Sequence, residues 1–146
     1  RCGMNGKPFA APPARLLGWT VLVVDDEDDS RDVARIMLEM AGADVLLACS
    51  GLDALRVIGQ SSVPDVILSD LSMPEMDGWD LIRAVRADAA LAHVPLIALT
   101  AHAMHGDRER VLAAGFIDHI TKPISALKFV DQVIACLSLE PGESAS

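Results

Sequence analysis

Five times along the chain, a short run of consecutive apolar residues is followed by an amphipathic stretch, and that alternation limits the fold more than any other feature. The pairs are Thr20 to Val24 then Ser30 to Ala41, Asp44 to Cys49 then Leu52 to Gly59, and Asp65 to Ser69 then Trp79 to Arg86. Pro95 to Thr100 then Gly106 to Ala114, and Phe116 to Thr121 then Ser125 to Leu137, complete the set. A strand wetted on one face alternates apolar with polar residues. These runs do not, which predicts a parallel sheet covered by helices on both faces, an open α/β sandwich. Gly42 and Gly115 stand where the first and fourth helices should close, Gly78 stands just before the third, and Ser125 is a candidate N-cap of the fifth.

At 146 residues with 51% hydrophobic content, the chain suits one domain with a full core. Residues 1–18, rich in Gly and Pro, read as a tag or linker, 19–139 as the folded domain and 140–146 as a polar tail. The formal charge of −9 leaves three Lys and nine Arg scattered among acids, so no basic stripe for nucleic acid exists. The apolar runs fall far short of the roughly 18 residues a membrane span needs. No secretory signal is evident in the chain as given, and a cytoplasmic setting is the default expectation. Cys2, Cys49 and Cys136 form no C-x-x-C pair; the latter two lie in apolar segments and are expected to be buried, reduced thiols.

In an open parallel sheet the ligand site lies beyond the carboxyl ends of the strands. Strand one ends in Asp25-Asp26-Glu27, strand three in Asp70, strand four in Thr100, and strand five leads into Lys122-Pro123. Carboxylates converging on one crevice repel each other, a cost that a divalent cation between them removes. Mg²⁺ suits such a site because it takes one or two carboxylates and completes its shell with waters and phosphate oxygens. Lys122 and Thr100 can bind phosphoryl oxygens, and a carboxylate can act as nucleophile to give an acyl phosphate.

With these residues in place, the stretch from Val21 to Leu137 resembles a two-component response-regulator receiver domain. Val-Leu-Val-Val-Asp25-Asp26-Glu27 is similar to that family's acidic-pair motif. Ser69-Asp70-Leu71-Ser72-Met73-Pro74-Glu75-Met76-Asp77-Gly78 resembles the segment around its phosphoacceptor, and Ala98-Leu99-Thr100-Ala101 and Thr121-Lys122-Pro123 complete four motifs in order. The resemblance implies a doubly wound, flavodoxin-like receiver fold of five parallel strands in the order 2-1-3-4-5. It implies Asp70 as phosphoacceptor, Asp26 and Asp70 as direct Mg²⁺ ligands, Asp25 acting through water, and the Ser72 backbone carbonyl as a further ligand. A phosphorylated Asp70 at about −2, with Asp25 and Asp26, carries about −4, which Mg²⁺ and Lys122 reduce to about −1.

The resemblance further implies a cis peptide bond between Lys122 and Pro123, and Ser72 and His102 as positions that tune acyl-phosphate lifetime. It implies a switch in which Thr100 moves toward the phosphoryl group and an aromatic residue three before the lysine follows. That position is His119, and the chain has no Tyr, so His119 in its neutral form is expected to take the role. The expected partners are a sensor histidine kinase or histidine phosphotransfer domain, docking at Ser30, Val33 and Ile124. A downstream protein would use the face of the fourth helix, fifth strand and fifth helix, and a homodimer is an open alternative. Both a single-domain regulator and the receiver of a hybrid histidine kinase fit the sequence.

Competing readings are weaker. Asp25 to Asp29 lacks the glycine of a calcium loop, and His102 with His105 lacks a third metal ligand. A haloacid-dehalogenase-like phosphohydrolase needs an acidic pair well after its lysine, and only Asp131, Glu140 and Glu143 follow Lys122. A receiver-like dimerisation scaffold without phosphotransfer is the other alternative, opposed by the presence of Asp70, Thr100 and Lys122. Val33, Met37, Met40 and Ala41 are expected on the core face of the first helix and Ile36 off it; for Trp79, core and surface stay open.

Overall fold

The computed structural model describes residues 15–101 and 107–137. Strands β1 (Thr20–Val24), β2 (Asp44–Ala48), β3 (Val66–Asp70), β4 (Leu96–Thr100) and β5 (Asp118–Thr121) alternate with helices α1 (Asp28–Met40), α2 (Gly51–Gln60), α3 (Gly78–Ala87), α4 (Asp107–Ala114) and α5 (Phe129–Cys136). All strand pairs are parallel, in the order β2-β1-β3-β4-β5. The expected architecture and strand order are both present.

The burial pattern explains the composition of the strands. β3 and β4 are buried at every position, whereas the edge strands β2 and β5 are partly open. Successive strand side chains point to opposite faces. Leu22, Val24, Ile67, Leu96 and Ala98 therefore join the layer that holds Leu81, Ile82 and Val85 of α3. Val21, Val23, Val66, Leu68, Ile97 and Leu99 join the layer that holds Ala34 and Leu38 of α1 and Phe129 and Val133 of α5. Each fully buried Val, Leu, Ile or Phe contributes about 1.5–3 kcal/mol of transfer free energy, so both layers are needed to offset chain entropy.

Several expectations shift. The linker reading of residues 1–18 ends too late, because Leu16 is 1% exposed within the α1/α5 layer and its N–H donates to the Ala41 carbonyl at 2.8 Å. Arg15 pairs with Asp131 of α5. Helix α1 turns its core face through Ala34, Leu38 and Ala41 rather than Val33 and Met40, which are 36% and 66% exposed. The i, i+4, i+7 set is the one under which the small Ala34 lets the helix sit close to the sheet. Met37 is half-buried, and Ile36 lies off the core as expected. Cys49, just past the end of β2, is exposed, and Cys136 is half-buried.

Helix ends carry local chemistry. Ser50 caps α2 by accepting from the Asp53 N–H, and Asp77 forms a reciprocal capping box with Asp80 at α3. Helix α5 begins later than expected: Ser125 starts a turn, accepting from the N–H groups of Lys128 and Phe129 through its carbonyl, and Lys128 is the N-cap. Gly42 and Gly115 close α1 and α4 with φ of +97° and +113°. The half-buried Arg86 guanidinium ties the ends of α3 and α4 together by donating to the carbonyls of Ala92, Val94 and Gly115.

The assignment of the α1 core face has a direct check in chemical denaturation. Leu38→Ala should cost about 2–5 kcal/mol through lost burial and a cavity, while Met40→Ala should change stability by less than about 0.5 kcal/mol.

Candidate phosphoacceptor site

The parallel sheet places the carboxyl ends of β1, β3, β4 and β5 along one edge, and the residues read from the sequence meet there. One carboxylate oxygen from each of Asp25, Asp26 and Asp70 lies within 4.8 Å of the others. Asp25 is fully buried, Asp70 is 7% exposed and Asp26 is open to solvent. Lys122 reaches across from the end of β5, its Nζ 2.9 Å from Asp25 Oδ2, 3.1 Å from Glu27 Oε1 and 3.2 Å from Asp70 Oδ2. The Asp25 oxygen facing Lys122 is buried with no hydrogen bond of its own, so the ion pair is what balances it. Thr100 is 5% exposed and lines the same cleft.

Local hydrogen bonds hold these groups in place. The other Asp25 oxygen accepts from the Glu27 N–H at 2.9 Å, and Asp70 Oδ1 accepts from the Ser72 N–H at 3.2 Å. The Lys122 N–H donates to the Thr100 carbonyl at 2.8 Å, which ties the two strand ends together. The Lys122–Pro123 bond is cis, as expected. Gly78 opens α3 directly against the acceptor strand, where a Cβ would lie 2.4 Å from the Asp70 carbonyl oxygen. Only glycine allows that approach.

The electrostatics follow from burial. Burial raises the Asp70 carboxyl above its ordinary range and Asp25 adds to the rise, against opposing contributions from the Ser72 N–H and Lys122. Burial also works against the charge on Lys122, but contacts with Asp25 and Glu27 and the field of Asp70 outweigh it, so the ammonium is held above its usual range. Glu27 is pulled below the carboxylate range, first by its hydrogen bond with Lys122. The result is a carboxylate-rich pocket with the Lys122 cation held among the carboxylates. Three carboxylate oxygens within 4.8 Å of one another, one of them from the fully buried Asp25, form a donor set that fits Mg²⁺.

The cleft holds about 930 Å³ and extends past the carboxylates to Met73, Trp79, Arg110 and Val111. Trp79 is half-buried, stands edge-on to Phe116 at 5.9 Å and lies under the Arg110 guanidinium at 5.2 Å. Sequence reasoning missed this wall, whose parts come from the loop after β3, from α3 and from α4. It also missed Glu27 as a third partner of Lys122, although the acidic run pointed to it. His119 lies on β5 with a side chain 18% exposed; its buried Nδ1 has no hydrogen bond and lies 3.5 Å from Asp118 Oδ1. Ser72 is exposed, Ser30 and Ile124 are half-buried, and Ile124 packs against the α1/α5 layer. His102 and His105 lie outside the described residues.

Comparison with known proteins agrees with this geometry. The response regulator receiver domain family matches residues 21–134. The polar-differentiation response regulator DivK of Brucella ovis is 35% identical over 114 residues, covering 78% of this chain and 92% of DivK. The chemotaxis response regulator CheY4 of Vibrio cholerae superposes with a TM-score of 0.75 at 29% identity, covering 81% of this chain and 98% of CheY4. The receiver domain of the sensor histidine kinase PA1611 from Pseudomonas aeruginosa, solved with magnesium in its active-site cleft, has a TM-score of 0.72 at 34% identity. It covers 82% of this chain and 98% of that domain. The parallel α/β sheet with an acidic pocket at its carboxyl edge is the architecture of these receivers, and this chain belongs to the response regulator receiver domain family. It is a receiver domain of two-component signalling, a regulator class of protein, with an Asp25/Asp26/Asp70 pocket consistent with a phosphoacceptor site.

Asp70 is destabilising as a charge. A carboxyl whose pKa rises on folding contributes stability while protonated and loses it as pH climbs through its range, so at neutral pH the ionised form is a constant penalty. Asp70→Asn should therefore raise the thermal midpoint by a few degrees in metal-free buffer at pH 7. The difference should vanish in acid, which scanning calorimetry across pH would show.

Proposed function

We propose that Asp70 accepts a phosphoryl group from a phosphohistidine on a sensor kinase or histidine phosphotransfer domain. The observation that carries this reading is the convergence of Asp25, Asp26, Asp70 and Lys122 at one end of the sheet, with Thr100 beside them. An Asp70 carboxylate oxygen attacks phosphorus, the P–N bond breaks, and its electron pair returns to the imidazole nitrogen. Lys122 balances charge on the transferring oxygens, and the Thr100 hydroxyl donates to one of them. Asp25, Asp26, Asp70 and the Ser72 carbonyl would hold Mg²⁺, which supplies Lewis-acid charge neutralisation when bound. The presence of magnesium in the PA1611 receiver supports this assignment.

Phosphorylation would redirect partner binding through Thr100 and His119, with the downstream partner meeting the α4, β5 and α5 face. The phosphodonor would dock at Ser30, Val33 and Ile124; the exposure of Val33 supports this, and Ile124, packed on the core, would contribute an edge. Ser72 and His102 would tune how long the acyl phosphate survives. A cytoplasmic location follows from the phosphodonor, and among the described residues no helix is long and apolar enough to cross a membrane.

Intact mass after incubation with acetyl phosphate is the test. One phosphoryl adduct is expected, dependent on Mg²⁺ and absent from Asp70→Asn; no adduct on the unsubstituted protein in the presence of Mg²⁺ would overturn the reading. For the switch, His119→Ala should weaken phosphorylation-dependent partner binding by about tenfold or more while leaving the adduct intact, as a pull-down with the phosphorylated form would measure.

A further inference from the structure

Lys122 has one partner more than the proposed chemistry uses. Besides Asp25 and Asp70, its ammonium contacts Glu27 Oε1 at 3.1 Å. Glu27 sits at the N-cap of α1 but makes no side-chain cap hydrogen bond there; its carboxylate instead receives the Ser30 hydroxyl at 3.2 Å and turns toward the cleft it lines. Its side chain is 64% exposed, while that of Lys122 is 9% exposed. Glu27 does not join the cluster of oxygens within 4.8 Å formed by Asp25, Asp26 and Asp70, so its place is with the cation and apart from the candidate metal ligands.

An ammonium has three protons to give. That of Lys122 donates to Glu27 Oε1 and Asp70 Oδ2 and stands 2.9 Å from Asp25 Oδ2 in an ion pair without a hydrogen bond, so a phosphoryl oxygen arriving at Lys122 competes with three carboxylates for one positive charge. Asp25 is buried and held by the Glu27 N–H, and Asp70 carries the phosphoryl group itself. Glu27, on an exposed and rotatable side chain, is the partner that can leave.

We propose that Glu27 is a positioning residue that competes with the incoming phosphoryl group for Lys122 and so restrains phosphorylation of Asp70. The inference rests on the assignment of Asp70 as phosphoacceptor. Before transfer Glu27 occupies one of the Lys122 protons and adds a negative charge to the mouth through which an anionic donor enters. During transfer Lys122 passes from Glu27 to a phosphoryl oxygen, and the freed carboxylate turns to solvent. Glu27 thus opposes both donor approach and the charge balance of the phosphorylated state.

The test compares phosphorylation by acetyl phosphate, followed by intact mass against time and donor concentration, in the unsubstituted protein, Glu27→Gln and Glu27→Asp. Gln keeps the shape and the Ser30 contact but removes the charge; Asp keeps the charge but withdraws it from Lys122 by one methylene. Glu27→Gln should raise the second-order rate about three- to fivefold, the range of one exposed ion pair, with Glu27→Asp in between. The gain should shrink at raised ionic strength, because an exposed pair and the repulsion of an anionic donor are both screened by salt.

Mg²⁺ affinity, measured by titration without donor, should change by less than about twofold in Glu27→Gln. An unchanged or slower rate in Glu27→Gln overturns the proposal, as does a tenfold loss of Mg²⁺ affinity, which would make Glu27 a metal ligand. If the unsubstituted protein takes no phosphoryl group, the assignment of Asp70 falls and this inference with it. An adduct on Asp70 with no effect of Glu27 removes this inference alone.

Discussion

A single ammonium group, drawn into the sheet edge by carboxylates from two other strands, is the contact on which the site depends. Lys122 arrives from β5, Asp25 from β1 and Asp70 from β3. Take that cation away and a fully buried aspartate faces a second, nearly buried one with no counter-charge, an arrangement that costs several kcal/mol. The cation works only because the sheet is parallel throughout, so that every strand delivers its carboxyl end to the same edge. The ion cluster is therefore a consequence of topology, and the two apolar layers stabilise a geometry that the charges alone would push apart.

That balance also explains why the pocket is built for change. With the four carboxylates of Asp25, Asp26, Glu27 and Asp70 gathered near Lys122, the site carries excess negative charge, which a divalent cation would lower. Burial raises the Asp70 carboxyl and fixes Lys122 as a cation. The two shifts place a carboxyl group whose charge is disfavoured by burial beside a firmly held positive charge. The wall of Met73, Trp79, Arg110 and Val111 extends the cleft of Asp70 to α3 and α4.

The residues of the candidate site were more legible than the packing around them. Asp25, Asp70, Thr100 and Lys122 each end or follow an apolar run, and the rule that open parallel sheets bind ligands at that edge picks them out without coordinates. The face of α1 was harder. Val33 and Met40 satisfy a helical period as well as Ala34 and Leu38 do, and apolar spacing does not record which of two overlapping stripes meets the sheet. Leu16 was hidden by its Gly- and Pro-rich neighbours, because a single buried side chain leaves no periodic trace. Cys49 looked buried from the apolar run before it, yet it falls just past the end of β2 and is exposed.

By itself, the sequence determined the alternation of five strands and five helices, the burial of both sheet faces and the identity of the residues at the strand ends, since each follows from local pattern and the parallel rule. Only the tertiary structure decided which helix face is buried, that Glu27 shares Lys122 with Asp25 and Asp70, and that Trp79 and Arg110 line the same cleft. These are distances between residues far apart in the chain. Local propensity carries no information about them; side-chain reach across strands and the packing of one helix against another set them.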